Sequence, residues 1–248
     1  MPKLKLNVSN GQTFVPTEIR KLKYPERISK EEINLLPIRS FPGSIKLVDT
    51  QDALKRALGP LRRETILGFD TETKPAFRKG VSHPPALIQL ATAKTVYLIR
   101  LAHVEELGEL INILSNPNCY KVGVAVRDDI VGLQRFGAFQ PGGFIDIGQL
   151  AGKLGIQTIG LRSLTAIFLQ FRISKKAQVS NWARRELSES QIHYAATDAW
   201  VSRKVFLKLR RFNRLAEELK NPPLIDITPQ NKTKKNAHRL LKPKTSAI

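Results

Sequence analysis

The chain has 248 residues, 42% of them hydrophobic, enough to bury one substantial core with tails left over. Lys and Arg number 41 against 21 Asp and Glu, a net charge of +20 that points to a polyanionic partner, nucleic acid foremost. The single cysteine, Cys119, excludes an intrachain disulfide framework and a multi-thiolate zinc site and fits a reducing, cytoplasmic location, and no signal-peptide core or run of about 18 apolar residues occurs.

Residues 1–44 read as an N-terminal extension rich in proline, with one short helix. Ser29-Lys30-Glu31-Glu32 forms a capping box ahead of Ile33, Leu35 and Leu36, and Pro37 ends the helix. Ser44 to Val48 is expected to be a strand. Thr50 caps a helix carrying Ala53, Leu54, Ala57 and Leu58, which Gly59-Pro60 is expected to break.

The next strand is Ile66-Leu67-Gly68-Phe69-Asp70-Thr71-Glu72-Thr73. Alternation sends Leu67 and Phe69 into a core and puts Asp70 and Glu72 together on the other face, roughly 7 Å apart. Like charges so placed repel unless a proton or cation separates them, which suits a divalent metal; alone, they read equally well as strand-end acids facing solvent. The following loop carries Lys74, Arg78, Lys79 and His83 among prolines. It is either a solvated basic loop or a place where a phosphate chain enters beside the acids.

Ala86 to Ala91 and Val96 to Ile99 read as a hairpin that makes an antiparallel meander with the acidic strand. Leu101 to Leu114 has helical periodicity, and Tyr120 to Val126 reads as a strand running into a helix near Asp128-Asp129. One of these aspartates can cap the helix while the other works; Asp128 is assigned to the cap and Asp129 to the site. Phe144 to Ile147 gives a last short strand, with Asp146 in a structural role.

Ser188-Glu189-Ser190-Gln191 is a second capping box and opens a helix running to about Arg211. Tyr194 and Asp198 stand four apart on one face, continued inward by Val201 and Val205, while Ala195 and Ala199 permit close approach to a sheet. An aspartate among such neighbours needs a partner or a metal. After Asn221-Pro222-Pro223, residues 229–248 include Lys232, Lys234 and Lys235 and no acid. They form a basic tail expected to be disordered and able to grip phosphates. The expected division is therefore an extension at 1–44, a main domain at 45–220 and a tail at 221–248.

Three segments carry a resemblance: Phe69-Asp70-Thr71-Glu72-Thr73, Lys121-Val122-Gly123-Val124-Ala125-Val126-Arg127-Asp128-Asp129, and His193-Tyr194-Ala195-Ala196-Thr197-Asp198-Ala199. In this order they resemble the three motifs of the DEDD exonuclease superfamily. Tyr194, four before the last aspartate, resembles the DEDDy subgroup in the branch of ribonuclease D and the Werner-syndrome exonuclease domain, as does Ser180-Asn181-Trp182. Ala125 departs from the pattern, where many relatives carry asparagine. The resemblance implies an α/β, ribonuclease-H-like fold with a mixed five-stranded sheet and flanking helices. It implies two divalent ions, Mg²⁺ or Mn²⁺, held by Asp70, Glu72, Asp129 and Asp198, with Tyr194 orienting the attacking water. The implied activity is 3′-5′ exonuclease cleavage of single-stranded DNA or RNA with release of nucleoside 5′-monophosphates. The alternative is an inactive binding or scaffold protein with the same fold, whose mark would be a missing acid or tyrosine; none is missing.

Overall fold

The computed structural model describes residues 24–76, 78, 81–212, 215–220 and 225–228. Its first element is helix α1 (Lys30–Leu35), where Ser29 and Glu32 exchange both hydrogen bonds of the capping box. Strand β1 (Ser44–Val48) and helix α2 (Gln51–Arg62) follow. The α2 helix does not break at Gly59-Pro60. Pro60 falls in the last turn, where buried Leu58 and Leu61 anchor the chain and a missing N–H costs little further propagation.

Strands β2 (Ile66–Thr73), β3 (Pro85–Ala91) and β4 (Thr95–Arg100) form the expected meander, β2 and β4 both antiparallel to β3. The turn between β3 and β4 is closed by Thr92, whose hydroxyl oxygen accepts from the Lys94 and Thr95 amides at 3.3 and 3.0 Å. Strands β5 (Tyr120–Gly123) and β6 (Phe144–Asp146) add in parallel beyond β2. The sheet order is β1-β4-β3-β2-β5-β6. Its six strands are one more than the resemblance implies, because β1 pairs in parallel with β4 and presents apolar side chains to both faces, Ile45 and Leu47 to one and Val48 to the other.

Between β4 and β5 the expected long helix is split into a 3₁₀ turn (Leu101–His103) and helix α3 (Gly108–Ser115). Between them the Glu105 and Glu106 amides leave the helical ladder and donate to Gln51 Oε1, each at 3.1 Å. Strand β5 stops at Gly123, before the expected Val126, because Ala125 turns into the left-handed region at φ 55° and starts helix α4 (Val126–Leu133). That conformation costs an alanine roughly 1–2 kcal/mol and is one asparagine tolerates better.

Helices α5 (Ile147–Lys153), α6 (Leu161–Leu169), α7 (Glu189–Leu209) and α8 (Ala216–Lys220) complete the described elements. The sheet separates two layers. On one side α2, α3 and α4 bury Leu54, Leu61, Leu110, Ile113, Val126 and Ile130 against Leu67, Phe69, Ile88 and Leu90. On the other side α7 lies across Leu87, Leu98 and Ala91 through Ala195, Ala196 and Ala199, and reaches α5 and α6 through Val205, Phe206 and Leu209. The closest approach is at Gly68: a Cβ there would stand 1.9 Å from the Ala199 carbonyl oxygen. Only a glycine in β2 lets α7 lie so low, and the Arg203 guanidinium then donates to the Ile66 carbonyl at 3.1 Å.

Candidate active site

The alternation of β2 sends Gly68, Asp70 and Glu72 toward α7 and Phe69 and Thr71 toward α4. Because α7 lies low over Gly68, Asp198 is carried to the two strand acids one turn after Tyr194. One carboxylate oxygen from each of Asp70, Glu72 and Asp198 lies within 4.8 Å of the others. Asp198 is buried, and its Oδ1 has no hydrogen-bond partner among the described residues. Asp70 is partly quieted by its neighbour, the Thr71 amide donating to Asp70 Oδ1 at 3.0 Å.

Asp129 arrives by a different route. It sits in the first turn of α4 and accepts the Thr71 hydroxyl proton at 2.5 Å, on the opposite side of β2 from the three converging carboxylates. It lies outside that cluster of three, though its charge is felt by both Asp70 and Glu72. Asp128 does not cap α4: the cap residue is Ala125, and Asp128 points into solvent, paired with Arg127 at 2.9 Å. The cap expectation fails because the helix begins at Val126, which puts the cap position three residues before Asp128. Asp146 has the structural role expected of it, accepting from the Gly148 and Gln149 amides at the start of α5 and from the Ala125 amide at 3.1 Å.

Charge crowding sets the electrostatics. Burial first, then the charges of Asp198, Asp129 and Glu72, hold Asp70 well above the usual carboxylate range. Burial and the Asp198 and Asp129 charges push Glu72 up to about 9. Burial raises Asp198 to about 7 and Asp129 to about 6, each offset by a hydrogen bond, from Tyr194 and Thr71 respectively. Burial, then the charge of Asp198, lifts the Tyr194 hydroxyl well above its ordinary value. A cluster of hard oxygen ligands whose ionisation is opposed, with one buried oxygen unpartnered among the described residues, fits a divalent cation.

Lys74 and Arg78 are exposed in the loop after β2, while Lys79 and the tail lysines Lys232, Lys234 and Lys235 lie outside the described residues. Two residues went unassigned in the sequence. Thr71 tethers Asp129 through its hydroxyl. Gln89 stands opposite Asp70 in the β2–β3 register and is fully buried, with neither amide atom hydrogen-bonded among the described residues. A lone amide inside the apolar run Ala86 to Ala91 was its signal.

Residues 45–212, most of the chain, match the family described as 3′-5′ exonuclease. A ribonuclease D of Granulibacter bethesdensis is 33% identical over 183 residues, which cover 72% of this chain and 44% of that protein. The crystal structure of Escherichia coli RNase D superposes with a TM-score of 0.64 at 25% identity, covering 72% of this chain and 47% of that one. The EXO domain of Aedes aegypti Nibbler shares the fold, with a TM-score of 0.63 at 24% identity over 72% of this chain and 93% of that domain. The chain belongs to the 3′-5′ exonuclease family, in its ribonuclease D-like branch. It spans less than half the length of the ribonuclease D sequences of Granulibacter bethesdensis and Haemophilus influenzae, covering 44% and 43% of them. Among the described residues no helix is long and apolar enough to cross a membrane.

Proposed function

We propose that this chain removes nucleotides one at a time from the 3′ end of a single-stranded nucleic acid, releasing nucleoside 5′-monophosphates. The observation that carries the reading is the convergence of Asp70, Glu72 and Asp198 within 4.8 Å, in a chain of the 3′-5′ exonuclease family. Asp70, Glu72 and Asp198 would hold divalent cations, with Asp129 contributing from the far side of β2. When bound, Mg²⁺ or Mn²⁺ supplies Lewis-acid chemistry that favours ionisation of a water and offsets charge on the leaving 3′ oxygen.

The protein's own groups do the rest. Tyr194 keeps its proton at neutral pH, since burial and Asp198 oppose its ionisation, so it orients the attacking water instead of taking a proton from it. Thr71 fixes the Asp129 carboxylate, and the Thr71 amide fixes Asp70. Lys74, Arg78 and Lys79, with the tail lysines Lys232, Lys234 and Lys235, would attract the phosphate chain. The division into an extension at 1–44, a nuclease domain at 45–220 and a basic tail belongs to the same reading. The lone Cys119 suits a reducing, cytoplasmic setting.

The Escherichia coli relative is an exoribonuclease involved in structured RNA processing. The decisive experiment therefore compares matched RNA and DNA strands bearing 3′-hydroxyl ends, with Mg²⁺ or Mn²⁺ and with excess chelator. A ladder shortening from the 3′ end, with mononucleotide release only when metal is present, is the expected result. Undiminished digestion in chelator would overturn the metal-dependent reading.

A further inference from the structure

A cavity of about 120 Å³ opens beside Tyr194 and Asp198, and three of its eight lining residues come from outside the α7 helix. Arg39 and Ser40 contribute to it from the N-terminal extension, and Ser174 from the segment after α6. Arg39 and Ser40 also precede residue 45, where the match to the exonuclease family begins. The family match therefore does not account for them.

The extension reaches the site because it is strapped down. Ile38 bridges to Arg172; the Arg39 amide donates to the Arg172 carbonyl, and the Arg172 amide donates to the Pro37 carbonyl, each at 2.9 Å. The Arg172 guanidinium adds a bond to the Leu36 carbonyl at 3.0 Å. One residue past Ser40, the Phe41 amide donates to the Thr197 hydroxyl oxygen at 3.0 Å, and the buried Phe41 ring packs 5.7 Å from that of Trp200. The strap is thus tied to α7 at the residue next to Asp198.

The Arg39 guanidinium lies 5.7 Å over the Phe171 ring and has no carboxylate partner among the described residues. It is a cation held in place by stacking and left free at its donor edge. Around it the Ser40 and Ser190 hydroxyls make no hydrogen bond among the described residues, and Ser174 accepts from the Lys176 amide, leaving its own O–H to donate. His193 and the first turns of α7, the positive end of a 21-residue helix, complete the wall. The cavity sets hydroxyls around one arginine without a carboxylate partner among the described residues, and its wall also carries Asp198, whose charge a bound divalent cation would offset toward a phosphate. A phosphate group fits within that volume, and a guanidinium beside hydroxyl donors is the chemistry that holds one.

We propose that Arg39, carried by the strap, binds a phosphate of the nucleic-acid backbone next to the bond being cleaved. The assignment rests on the exonuclease reading and adds to it a contact that the family match does not contain. Its ligand chemistry is a phosphodiester, and its contribution is affinity and register of the 3′ end, not proton transfer.

The test uses the full chain, a single-stranded 3′-hydroxyl oligonucleotide, and the variant Arg39→Gln, which leaves the backbone bonds to Arg172 in place. Digestion with Mg²⁺ is expected to show KM raised about ten-fold, the size of one lost charge-assisted bond, with kcat nearly unchanged. Binding followed by fluorescence anisotropy in excess chelator should weaken similarly, with its salt slope shallower by about 0.7, the value of one single-strand phosphate contact. Arg39→Lys should restore that slope. If the wild type digests the oligonucleotide and Arg39→Gln has wild-type KM and salt slope, the phosphate site falls and the exonuclease reading stands. If the wild type digests neither RNA nor DNA while Arg39→Gln still weakens binding, the reverse holds.

Discussion

On the α7 face of β2, Asp70, Glu72 and Asp198 crowd together, and Asp198 Oδ1 has no donor among the described residues; on the α4 face, Asp129 receives the Thr71 hydroxyl at 2.5 Å. Both sides bury carboxylates. They differ in what offsets the charge: on the first face one hydroxyl, that of Tyr194, serves three carboxylates, a shortfall that suits a cation, while on the second the Thr71 hydroxyl serves a single one. The difference explains why burial lifts Glu72 to about 9 but Asp129 only to about 6. It teaches that acids grouped together by sequence motif need not be equivalent parts of one cage.

The most direct way to break the comparison is Asp198→Asn, which removes a carboxylate charge and leaves the shape. Exonuclease activity should fall about 10³-fold, the scale of losing one preorganised electrostatic group at a reacting centre, measured as initial rates with Mg²⁺. A milder perturbation is Thr71→Val, which keeps the buried volume but removes the donor to Asp129. Activity should drop about ten-fold while Mg²⁺ affinity at the other face changes less, read from rate against metal concentration. Equal losses in rate and metal affinity would show that the two faces form one unit.

A smaller effect sharpens the contrast through pH. The carboxyls of Asp198 and Glu72 are raised in the folded metal-free protein to about 7 and about 9, above their unfolded values. Groups raised in this way contribute stability while protonated, and that contribution is lost as pH rises through the folded values. The melting temperature of metal-free protein should therefore decline from pH 6 to pH 9, and added Mg²⁺ should raise it more at pH 9 than at pH 6. A Mg²⁺ increment independent of pH, measured by differential scanning fluorimetry, would contradict the repulsion argument.

Local signals were the legible part of the site. The capping boxes at Ser29 and Ser188, the alternation of β2 and the four-residue step from Tyr194 to Asp198 depend on neighbours in the chain, and each appears in the structure as read. Features made by distant segments were not legible. No periodicity reveals that Arg172 pairs with Pro37 and Arg39, or that Gln89 stands beside Asp70, because those pairings follow from how the sheet and strap close. Asp128 misled for a local reason. A left-handed alanine moved the helix start, and alanine carries no mark of that conformation.

Gly68 bears on how freely the rest of the molecule can vary. The spacing between β2 and α7 is set where the Gly68 α-carbon meets the Ala199 backbone, not by the large side chains nearby. Bulk changes elsewhere in that layer, at Leu98 or Trp182, are met by side chains that can repack, while the backbone contact stays where it is. The three acids thus inherit their separation from a hard stop in the main chain, which insulates the carboxylate cluster from drift in the core around it.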